Sequence, residues 1–287
     1  MDSLIPAMEQ ALIDFSSGRV VQPVRNSLSI PKHAAFLGVM SAVYGEVMGA
    51  KLVTVYPNNA AVGLPSHQAL IVLFHSRTGE PLAVMDGRLI TEMRTAAVTA
   101  VATKLLAKPN ARVLAILGSG VQARSHFEAL RLVRRFEEVR VWSRTPENAR
   151  RFAAEIGARN MTAEQAVRGA DVVVTVTGAP DPILRGEWLE PDALVAAVGA
   201  VGPKRRELDD KAVRRGTVVV DSREAALVES GDVLLSQAPI YAELGELLAG
   251  AKAKPPSGIT VFKSLGIAVE DLAAAKLVYG ATERQSL

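Results

Sequence analysis

The chain has 287 residues, of which 49% are hydrophobic and 22% are charged, a composition typical of a well-cored globular protein. The formal net charge is +3, from 33 Lys and Arg against 30 Asp and Glu, and this balance argues against a nucleic-acid-binding protein. The absence of cysteine excludes disulfides, thiolate catalysis and cysteine metal sites. The four histidines are scattered, so we expect no metal site.

Membrane segments are not expected. No apolar run approaches the roughly 18 uncharged residues that a spanning helix needs, and the first residues show no basic segment followed by an apolar core. We therefore expect no membrane partner and a cytoplasmic location.

The first part of the chain, to about residue 108, mixes strand-like and helical patterns. A helix is expected at 4–15, because apolar residues recur there at helical spacing before Ser16-Ser17-Gly18. Strands are predicted at 20–30 and 50–56, a hairpin at 68–85, and a helix at 91–106 with Thr91 as its N-cap.

From residue 113 onward, short apolar strands alternate with helical or polar segments. Five strands are predicted, at 113–117, 139–142, 172–176, 194–198 and 217–220. The first of them is a continuous apolar run, which suits a strand buried on both faces. The alternation predicts an α/β fold with a Rossmann dinucleotide-binding domain.

The domain boundaries follow from these two patterns. We assign residues 109–258 to the Rossmann domain. Residues 1–108 and 259–287 are assigned to an α+β substrate and dimerisation domain. The tail is expected to return to the first domain because the Rossmann sheet would already be complete.

The loop Gly118-Ser119-Gly120-Val121-Gln122-Ala123 follows the buried strand at 113–117 and opens a helix. That context gives the weak Gly-x-Gly-x-x-Ala motif its meaning. Gly118 permits a tight turn, Gly120 lets the backbone approach a pyrophosphate, and Ala123 lets the helix pack on the strand. The helix N-terminus then attracts the phosphates, so we predict a nicotinamide dinucleotide here.

The choice between the two nicotinamide cofactors depends on the residues after the second strand. NAD-binding domains place Asp or Glu there, whereas this chain has Ser143-Arg144-Thr145 and no carboxylate before Glu147. The guanidinium of Arg144 suits a 2′-phosphate or an adenine face. We therefore expect NADPH as the cofactor, with NADH used more weakly.

Three basic residues of the first domain form a candidate substrate site. Arg25 and Lys51 lie within strand patterns, and Arg94 lies about three residues into the predicted helix at 91–106, where a cation opposes the helix dipole. Each one singly suits a surface or salt-bridge role. Together they suit an anion, because Arg binds carboxylates in bidentate fashion and Lys supplies a compact charge or proton.

Segments spread in order along nearly the whole chain carry a family resemblance. They include Gln22-Pro-Val-Arg25, Lys51-Leu-Val-Thr54, Pro65-Ser-His-Gln68, Arg94-Thr-Ala-Ala-Val98, Arg206-Glu-Leu-Asp-Asp210, Val261-Phe-Lys-Ser-Leu-Gly266 and Ala268-Val-Glu-Asp271. On these, the chain resembles the ornithine cyclodeaminase/mu-crystallin family, and its mu-crystallin branch most closely.

The resemblance implies a homodimer and a nicotinamide reaction at the carbon of an α-imino or α-keto acid, with Arg25, Lys51 and Arg94 around the substrate carboxylate and reacting nitrogen. Separately, His67 follows Pro65-Ser66 before a predicted buried strand, which favours a structural hydrogen-bonding role and leaves a substrate-pocket role open. The resemblance also implies that the segment Ser264-Leu265-Gly266 turns toward the nicotinamide. We assign Thr177, Val198 and Gly199 to the cofactor as well.

Three features of the chain depart from the family pattern and limit what the resemblance implies. The cyclodeaminases carry an Asp shortly after the strand that ends here near Gly199, where this chain has Val201, which cannot accept a proton; ornithine cyclisation is therefore not expected. Arg144 departs from the NAD-type cyclodeaminases. The family's first strand and helix start are expected to be missing before Leu4.

These inferences predict an NADPH-dependent reductase of cyclic ketimine carboxylates, in which Arg25 and Arg94 hold the carboxylate and Lys51 is a candidate proton source. Two alternatives stay open. One is an alanine-dehydrogenase-like or N-alkyl amino acid reductive aminase, which would also take an amine. The other is an NADPH-dependent binding protein for a small, thyroid-hormone-like ligand.

Overall fold

The computed structural model describes residues 1–285 and divides the chain into two compact units. The first unit comprises residues 1–94 together with the chain from Gly266 onward, and the second comprises Thr95–Leu265. The division falls within a helix and after a strand, and is displaced from the boundaries at 108/109 and 258/259 that we draw from the sequence.

The first unit is an antiparallel sheet with helices on one face. Its helices are α1 (Leu4–Ser16), the first two turns of α2 (Gly87–Leu106) and α10 (Ala268–Gln285). Its strands are β1 (Val20–Val21), β2 (Asn26–Ile30), β3 (Ala35–Tyr44), β4 (Val47–Val55), β5 (His67–His75) and β6 (Pro81–Asp86). The strands pair in the order β1-β3-β4-β5-β6, and β2 pairs with the other part of β3.

Helix α10 covers one face of this sheet. Its residues Ala268, Leu272 and Ala275 pack against buried side chains of the strands, among them Met40 and Ile71. Removing such apolar surface from water stabilises the unit by roughly 25 cal/mol per Å². This packing brings the first turn of α10 over the middle of the sheet, where the candidate substrate residues lie.

The opposite face of the sheet carries exposed apolar side chains. Val39, Leu52 and Leu70 form one row across β3, β4 and β5. The exposed apolar residues of this face, hereafter the open sheet face, are Leu28, Val39, Val43, Leu52, Leu70 and Val84. Grouped apolar side chains are less common on an exposed surface than scattered ones.

The second unit is a parallel sheet with connecting helices. Its strands are β7 (Val113–Leu117), β8 (Glu138–Trp142), β9 (Arg159–Asn160), β10 (Val172–Thr175), β11 (Leu194–Ala197), β12 (Thr217–Val220), β13 (Ile240–Glu243) and β14 (Thr260–Lys263). Its helices, besides the rest of α2, are α3 (Val121–Val133), α4 (Pro146–Ile156), α5 (Ala163–Val167), α6 (Asp210–Arg215), α7 (Arg223–Glu229), α8 (Gly231–Ser236) and α9 (Leu244–Leu248).

The strand order β13-β12-β14-β11-β10-β7-β8-β9 contains the Rossmann arrangement. From β7 the chain runs outward to β8 and β9, then crosses to β10 and continues the other way. The sheet therefore has its topological switch point between β7 and β10. In such sheets ligands bind outside the carboxyl ends of the strands at this point, and the loop that begins at Gly118 leaves β7 there.

The predicted Rossmann alternation, the N-terminal helix and the hairpin of β5 and β6 are all confirmed. The expectation that the parallel sheet is complete before residue 259 is wrong, because β14 pairs with both β11 and β12 inside it. The predicted strand at 20–30 is two strands, β1 and β2, and β3 had not been predicted.

The N-cap prediction for Thr91 is also wrong, because α2 begins at Gly87 and the Thr91 hydroxyl donates to the Gly87 carbonyl inside the helix. Arg94 therefore lies two turns into α2, where the dipole of the helix N-terminus no longer acts on it.

None of the helices in residues 1–285 combines the length and the apolar character that crossing a membrane requires.

Candidate active site

The glycine loop after β7 has the geometry that the motif predicts. Gly118 has φ +140°, and a Cβ there would meet the Val176 carbonyl oxygen at 2.7 Å. Gly120 is the N-cap of α3 with no side-chain cap, and a Cβ on it would meet no atom within 4 Å. Ala123 is fully buried. The loop thus combines a turn that only glycine can make with open space at the N-terminus of a helix, which suits a phosphate group.

The residues after β8 lie at the surface. Ser143 accepts a hydrogen bond of 2.8 Å from the Ser119 hydroxyl of the glycine loop. Arg144 and Thr145 are exposed, and Thr145 is the N-cap of α4. Within residues 1–285, Arg144 forms no hydrogen bond or ion pair, so its guanidinium is available to an anionic ligand at this strand end.

The chain segments that follow β10 and β11 are joined by a buried carboxylate. Glu207 Oε1 accepts hydrogen bonds from the Thr177 N–H and the Thr177 hydroxyl, both at 2.7 Å. Its Oε2 accepts from the Gly199 N–H at 2.7 Å and from the Thr175 hydroxyl at 2.8 Å. The expected cofactor residues Thr177 and Gly199 therefore lie side by side. Val198, which directly follows β11, is buried.

The segment after β14 contributes a buried hydroxyl to the same edge of the sheet. Ser264 is 1% exposed, and its Oγ finds no hydrogen-bond partner among the described residues. The N–H of Leu265 donates to Asp221 Oδ2 at 2.6 Å, which fixes the backbone there. Buried hydroxyls are normally hydrogen-bonded, so the orphaned Ser264 oxygen together with the Gly118–Gly120 cradle fits a polar dinucleotide.

A cluster of charged side chains lies at the centre of the first unit. Lys51 Nζ contacts both carboxylate oxygens of Asp271, at 2.8 and 2.7 Å. The Arg94 guanidinium contacts Asp271 through Nε at 2.9 Å and Glu270 through Nη1 at 2.5 Å. These four side chains are buried. Arg25, partly buried, donates to the Gly266 carbonyl at 2.8 Å.

These residues form the cation cluster, made of Arg25, Lys51, Arg94, Glu270 and Asp271. Lys51 and Arg94 are buried salt-bridge residues, and a substrate role for the three basic residues stays a prediction. Buried charges are tolerated only when they are paired and hydrogen-bonded, and Asp271 pairs with both Lys51 and Arg94. Cations gathered at one place suit an anionic ligand such as a carboxylate.

The cluster also sets the protonation of Lys51. Burial, reinforced by the neighbouring Arg94 and partly offset by Asp271, lowers the pKa of Lys51 to about 7. Burial by itself would raise the pKa of Asp271, but Arg94 and Lys51 lower it below its usual value. A lysine with a pKa near neutrality beside an ionised carboxylate has the properties that suit a general acid or base.

Gly266 is essential to the geometry of the cluster. Its φ of +75° lies in the left-handed region, and a Cβ there would collide with the Arg94 guanidinium. Gly266 belongs to the first unit and lies against Arg25 and Arg94, and its assignment to the cofactor stays a prediction.

His67 is not part of the buried cluster. It is exposed at the first residue of β5, opposite Val55, and its Nδ1 lies 3.1 Å from the Ser66 hydroxyl. A substrate role for His67 stays a prediction.

Sequence reasoning missed the acidic partners Glu207, Glu270 and Asp271. In the sequence, Glu270 and Asp271 look like ordinary acids in the first turn of a helix, where they suit the helix dipole. A usable signal was their place in the family-like segment Ala268-Val-Glu-Asp271. No spacing rule connects position 51 with position 271.

The strand order and the glycine turn define a Rossmann-type dinucleotide-binding protein whose first unit, the antiparallel one, holds the cation cluster. Comparison with known proteins agrees with that class. Residues 1–286 match the ornithine cyclodeaminase/mu-crystallin family, and the chain belongs to this family.

Several relatives match over almost their whole length. The ketimine reductase mu-crystallin of Mus musculus is 54% identical over 284 residues, covering 96% of this chain and 91% of the relative. The Δ1-pyrroline-2-carboxylate reductase of Thermococcus litoralis, solved with NADH and L-proline, is 36% identical with a TM-score of 0.95, covering 100% and 94%. An archaeal alanine dehydrogenase dimer with bound NAD is 33% identical with a TM-score of 0.94, covering 100% and 93%.

Proposed function

We propose that this protein is an oxidoreductase that reduces cyclic ketimine carboxylates with NADPH, such as Δ1-piperideine-2-carboxylate or Δ1-pyrroline-2-carboxylate. The observation that carries the proposal is the cation cluster, in which the buried side chains of Lys51 and Arg94 share the Asp271 carboxylate and the pKa of Lys51 is lowered to about 7. The names of the mouse and Thermococcus relatives support the reaction class.

In this proposal, the cluster holds the substrate and supplies a proton. Arg25 and Arg94 bind the carboxylate, and Asp271 keeps the Lys51 ammonium in place. Lys51 donates a hydrogen bond or a proton at the imine nitrogen, because an iminium carbon accepts hydride more readily than an imine carbon. A bound nicotinamide dinucleotide supplies the hydride, while the protein supplies orientation and charge.

The residues that would hold the dinucleotide come from the second unit. The loop Gly118–Ala123 would take the pyrophosphate, and Ser143, Arg144 and Thr145 the adenosine ribose. The segments at Thr177, Gly199 and Ser264 would take the other half, since dinucleotides lie across the switch point.

The proposal also states that the enzyme prefers NADPH to NADH as its cofactor. This preference rests on the exposed Arg144 guanidinium and on the absence of a carboxylate before Glu147. Replacing Arg144→Asp should reverse the ratio of kcat/KM for NADPH over NADH, because a carboxylate repels the 2′-phosphate and accepts from ribose hydroxyls. Arg151→Asp, on the exposed side of α4, is the matched control. An unchanged ratio in Arg144→Asp would remove the assignment.

A substrate panel tests the reaction itself. Oxidation of NADPH would be followed with each cyclic ketimine, with pyruvate plus ammonia, and with pyruvate plus methylamine, and ammonia release from ornithine would be measured. We expect turnover with a cyclic ketimine and none with ornithine. Lys51→Ala should lower kcat with the ketimine about 10²-fold, the range typical of positioned acid–base groups. Wild-type kcat in that variant would exclude Lys51 from the chemistry.

Reductive amination of a keto acid is the second candidate, and the alanine dehydrogenase relative favours it. The same cluster would then bind the keto acid carboxylate. Faster turnover with pyruvate and an amine than with either ketimine would select this alternative. No turnover at all, together with tight binding of an iodinated aromatic acid, would instead favour the ligand-binding protein.

We also propose that the protein is a homodimer formed through the open sheet face. An exposed apolar row that crosses three strands needs a cover, and a second copy provides a matching surface. The archaeal alanine dehydrogenase is described as a dimer.

A further inference from the structure

A buried polar network in the second unit stands outside the proposed proton chemistry. It contains Glu207, Asp232 and Lys263, each with at most 1% of its surface exposed. Burying three charged side chains is costly unless every one is paired and hydrogen-bonded. Their contacts therefore indicate what the network is for.

Glu207 is the part of the network that touches the edge of the sheet. Each of its two carboxylate oxygens accepts one backbone N–H, from Thr177 after β10 and from Gly199 after β11, and one threonine hydroxyl. A Cβ on Gly199 would collide with the backbone of Thr177 and lie 2.6 Å from Glu207 Oε1. The two segments thus meet closely. The Val198 and Gly199 N–H groups donate to the Thr175 carbonyl at 3.0 and 3.1 Å, and Glu207 is the side chain that adds bonds to both segments.

Asp232 and Lys263 form the rest of the network around Glu207. Asp232 Oδ1 accepts from the backbone N–H groups of Glu207 and Leu208, at 2.9 and 3.0 Å. Lys263 lies 3.0 Å from Asp232 Oδ2 and donates to the Ala200 carbonyl at 2.6 Å. The ends of β10, β11 and β14 are therefore connected through one set of buried charges.

Topology places these strand ends on one side of the switch point. Arg144, after β8, lies on the other side of β7 and would meet the adenosine half of a dinucleotide. The β10 and β11 ends are left for the nicotinamide half. A network that fixes these ends acts on the part of the ligand that reacts.

We propose that Glu207 is a positioning residue that holds the segments after β10 and β11 in the arrangement that the nicotinamide half of the cofactor requires. This inference rests on the proposed nicotinamide-dependent function. Glu207 acts through the backbone of Thr177 and Gly199 and has no part in the transfer of hydride or proton.

Glu207→Gln tests the proposal with a change of few atoms. The carboxyl group of Glu, ionised or protonated, can accept a hydrogen bond at both oxygens, whereas the amide nitrogen of Gln can only donate. Either orientation of the Gln amide therefore sets its NH₂ against the N–H of Thr177 or Gly199. We expect hydrogen exchange of these two amides, measured without cofactor, to rise at least tenfold. The dissociation constants for NADPH and NADH, from fluorescence titration, should also rise at least tenfold.

Asp171→Asn is the matched control. Asp171 also joins two neighbouring strands through backbone N–H groups, since its Oδ2 accepts from Arg112, just before β7, and from Val113, the first residue of β7. It lies at the amino ends of the strands. This variant should lower Tm yet keep wild-type cofactor affinity and wild-type exchange at Thr177 and Gly199. Equal loss of cofactor affinity in both variants would make the effect a general one and overturn the proposal.

Thr175→Val keeps the test informative if Glu207→Gln fails to fold. It removes one buried hydroxyl donor to Glu207 Oε2 with little change of shape. It should weaken cofactor binding two- to fivefold and raise the KM for the cofactor more than it lowers kcat. Wild-type amide exchange and cofactor affinity in whichever variants fold would refute the role of Glu207.

The two proposals fail in different ways. Wild-type protein that binds NADPH but reduces no imine would refute the proposed reaction, while the comparison of Glu207→Gln with Asp171→Asn would still decide the positioning role. Wild-type protein that binds neither nicotinamide dinucleotide would refute both.

Discussion

Lys51 shows how burial and neighbouring charges change the pKa of a single side chain. In water a lysine keeps its proton far above neutral pH. Here burial and Arg94 lower its pKa to about 7, and Asp271 limits the shift. The same lysine on the surface would be a permanent cation. In the cluster it can give up a proton at the pH at which enzymes usually work.

The pH dependence of ketimine reduction should therefore report Lys51. Its protonated form predominates below about pH 7, so kcat should fall as pH rises from 6 to 9, approaching tenfold per pH unit on the alkaline side. Asp271→Asn removes the carboxylate that raises this pKa and should move the midpoint to lower pH. Lys51→Met is the control, because its remaining pH dependence belongs to the substrate. A midpoint that stays in place in Asp271→Asn would contradict this assignment.

Gly266 makes a second prediction at the scale of one residue. Gly266→Ala should destabilise the protein by more than the about 1 kcal/mol that a left-handed backbone costs a residue with a Cβ, because the new methyl also displaces Arg94. The KM for the ketimine should rise at least tenfold. Gly250→Ala is the matched control, since Gly250 has φ +70° with no atom within 4 Å of its Cβ position. Equal unfolding free energies and unchanged KM values in the two variants would disprove the contact.

At the scale of elements, α2 and α3 share a buried histidine. His126 Nδ1 lies 2.7 Å from the Gln122 carbonyl and donates to it, which leaves Nε2 to accept from the Thr99 hydroxyl at 3.0 Å. Burial lowers the pKa of His126 to about 4. The imidazole is therefore neutral in the folded protein at every pH above that value.

This histidine should make the second unit sensitive to acid. Its folded pKa of about 4 lies below the ordinary value of 6.5, so its stabilising contribution is present above pH 6.5 and is lost as pH falls toward 4. Between pH 7 and pH 5, wild type should lose about 2 kcal/mol more unfolding free energy than His126→Gln. Urea unfolding at the two pH values measures this. His33→Gln, which changes an exposed histidine, should behave as wild type, and an equal loss in His126→Gln would show that His126 does not titrate.

The elements differ in how far the sequence predicts them. The strands β7, β10 and β11 are predictable because a strand buried on both faces reads as an unbroken apolar run between turns. Strand β3 is also nearly all apolar, yet its neighbours Val39 and Met40 face opposite sides of an antiparallel sheet. The exposed apolar side removes the alternation that identifies such a strand. The place of strand β14 is harder to predict, because the strand before it in sequence is β13, whereas its partners in the sheet are β11 and β12.

The residues of the candidate site also differ in how far the sequence predicts them. Residues whose type is dictated locally, such as Gly118 and Gly120, are found from their motif. Basic residues inside strand patterns point to an anion site. The acids that complete it, Glu270 and Asp271, come from more than 170 positions away, and only packing of α10 on the sheet brings them together with Lys51 and Arg94.

For the whole molecule, the open sheet face is the feature with the widest effect. Leu70→Lys places a charge in the middle of its exposed apolar row and should raise the dimer dissociation constant at least 100-fold. Leu227→Lys is the control, because Leu227 on α7 is similarly exposed, at 56% against 52% for Leu70. Light scattering over a concentration series measures the mass. A monomeric wild type, or a dimer that tolerates Leu70→Lys, would exclude this face as the interface.

The position of β14 has a consequence for how the chain folds during its synthesis. Strands β12 and β13 join the rest of their sheet only across β14, whose residues leave the ribosome after both of them. Until residues 260–263 have emerged, the pair formed by β12 and β13 has no neighbour to align with, and its hydrogen-bonding edge is open. Strands β12 and β13, two of the eight strands of this sheet, therefore cannot join it until β14 has been inserted. During that interval the nascent chain is vulnerable to mispairing with other chains.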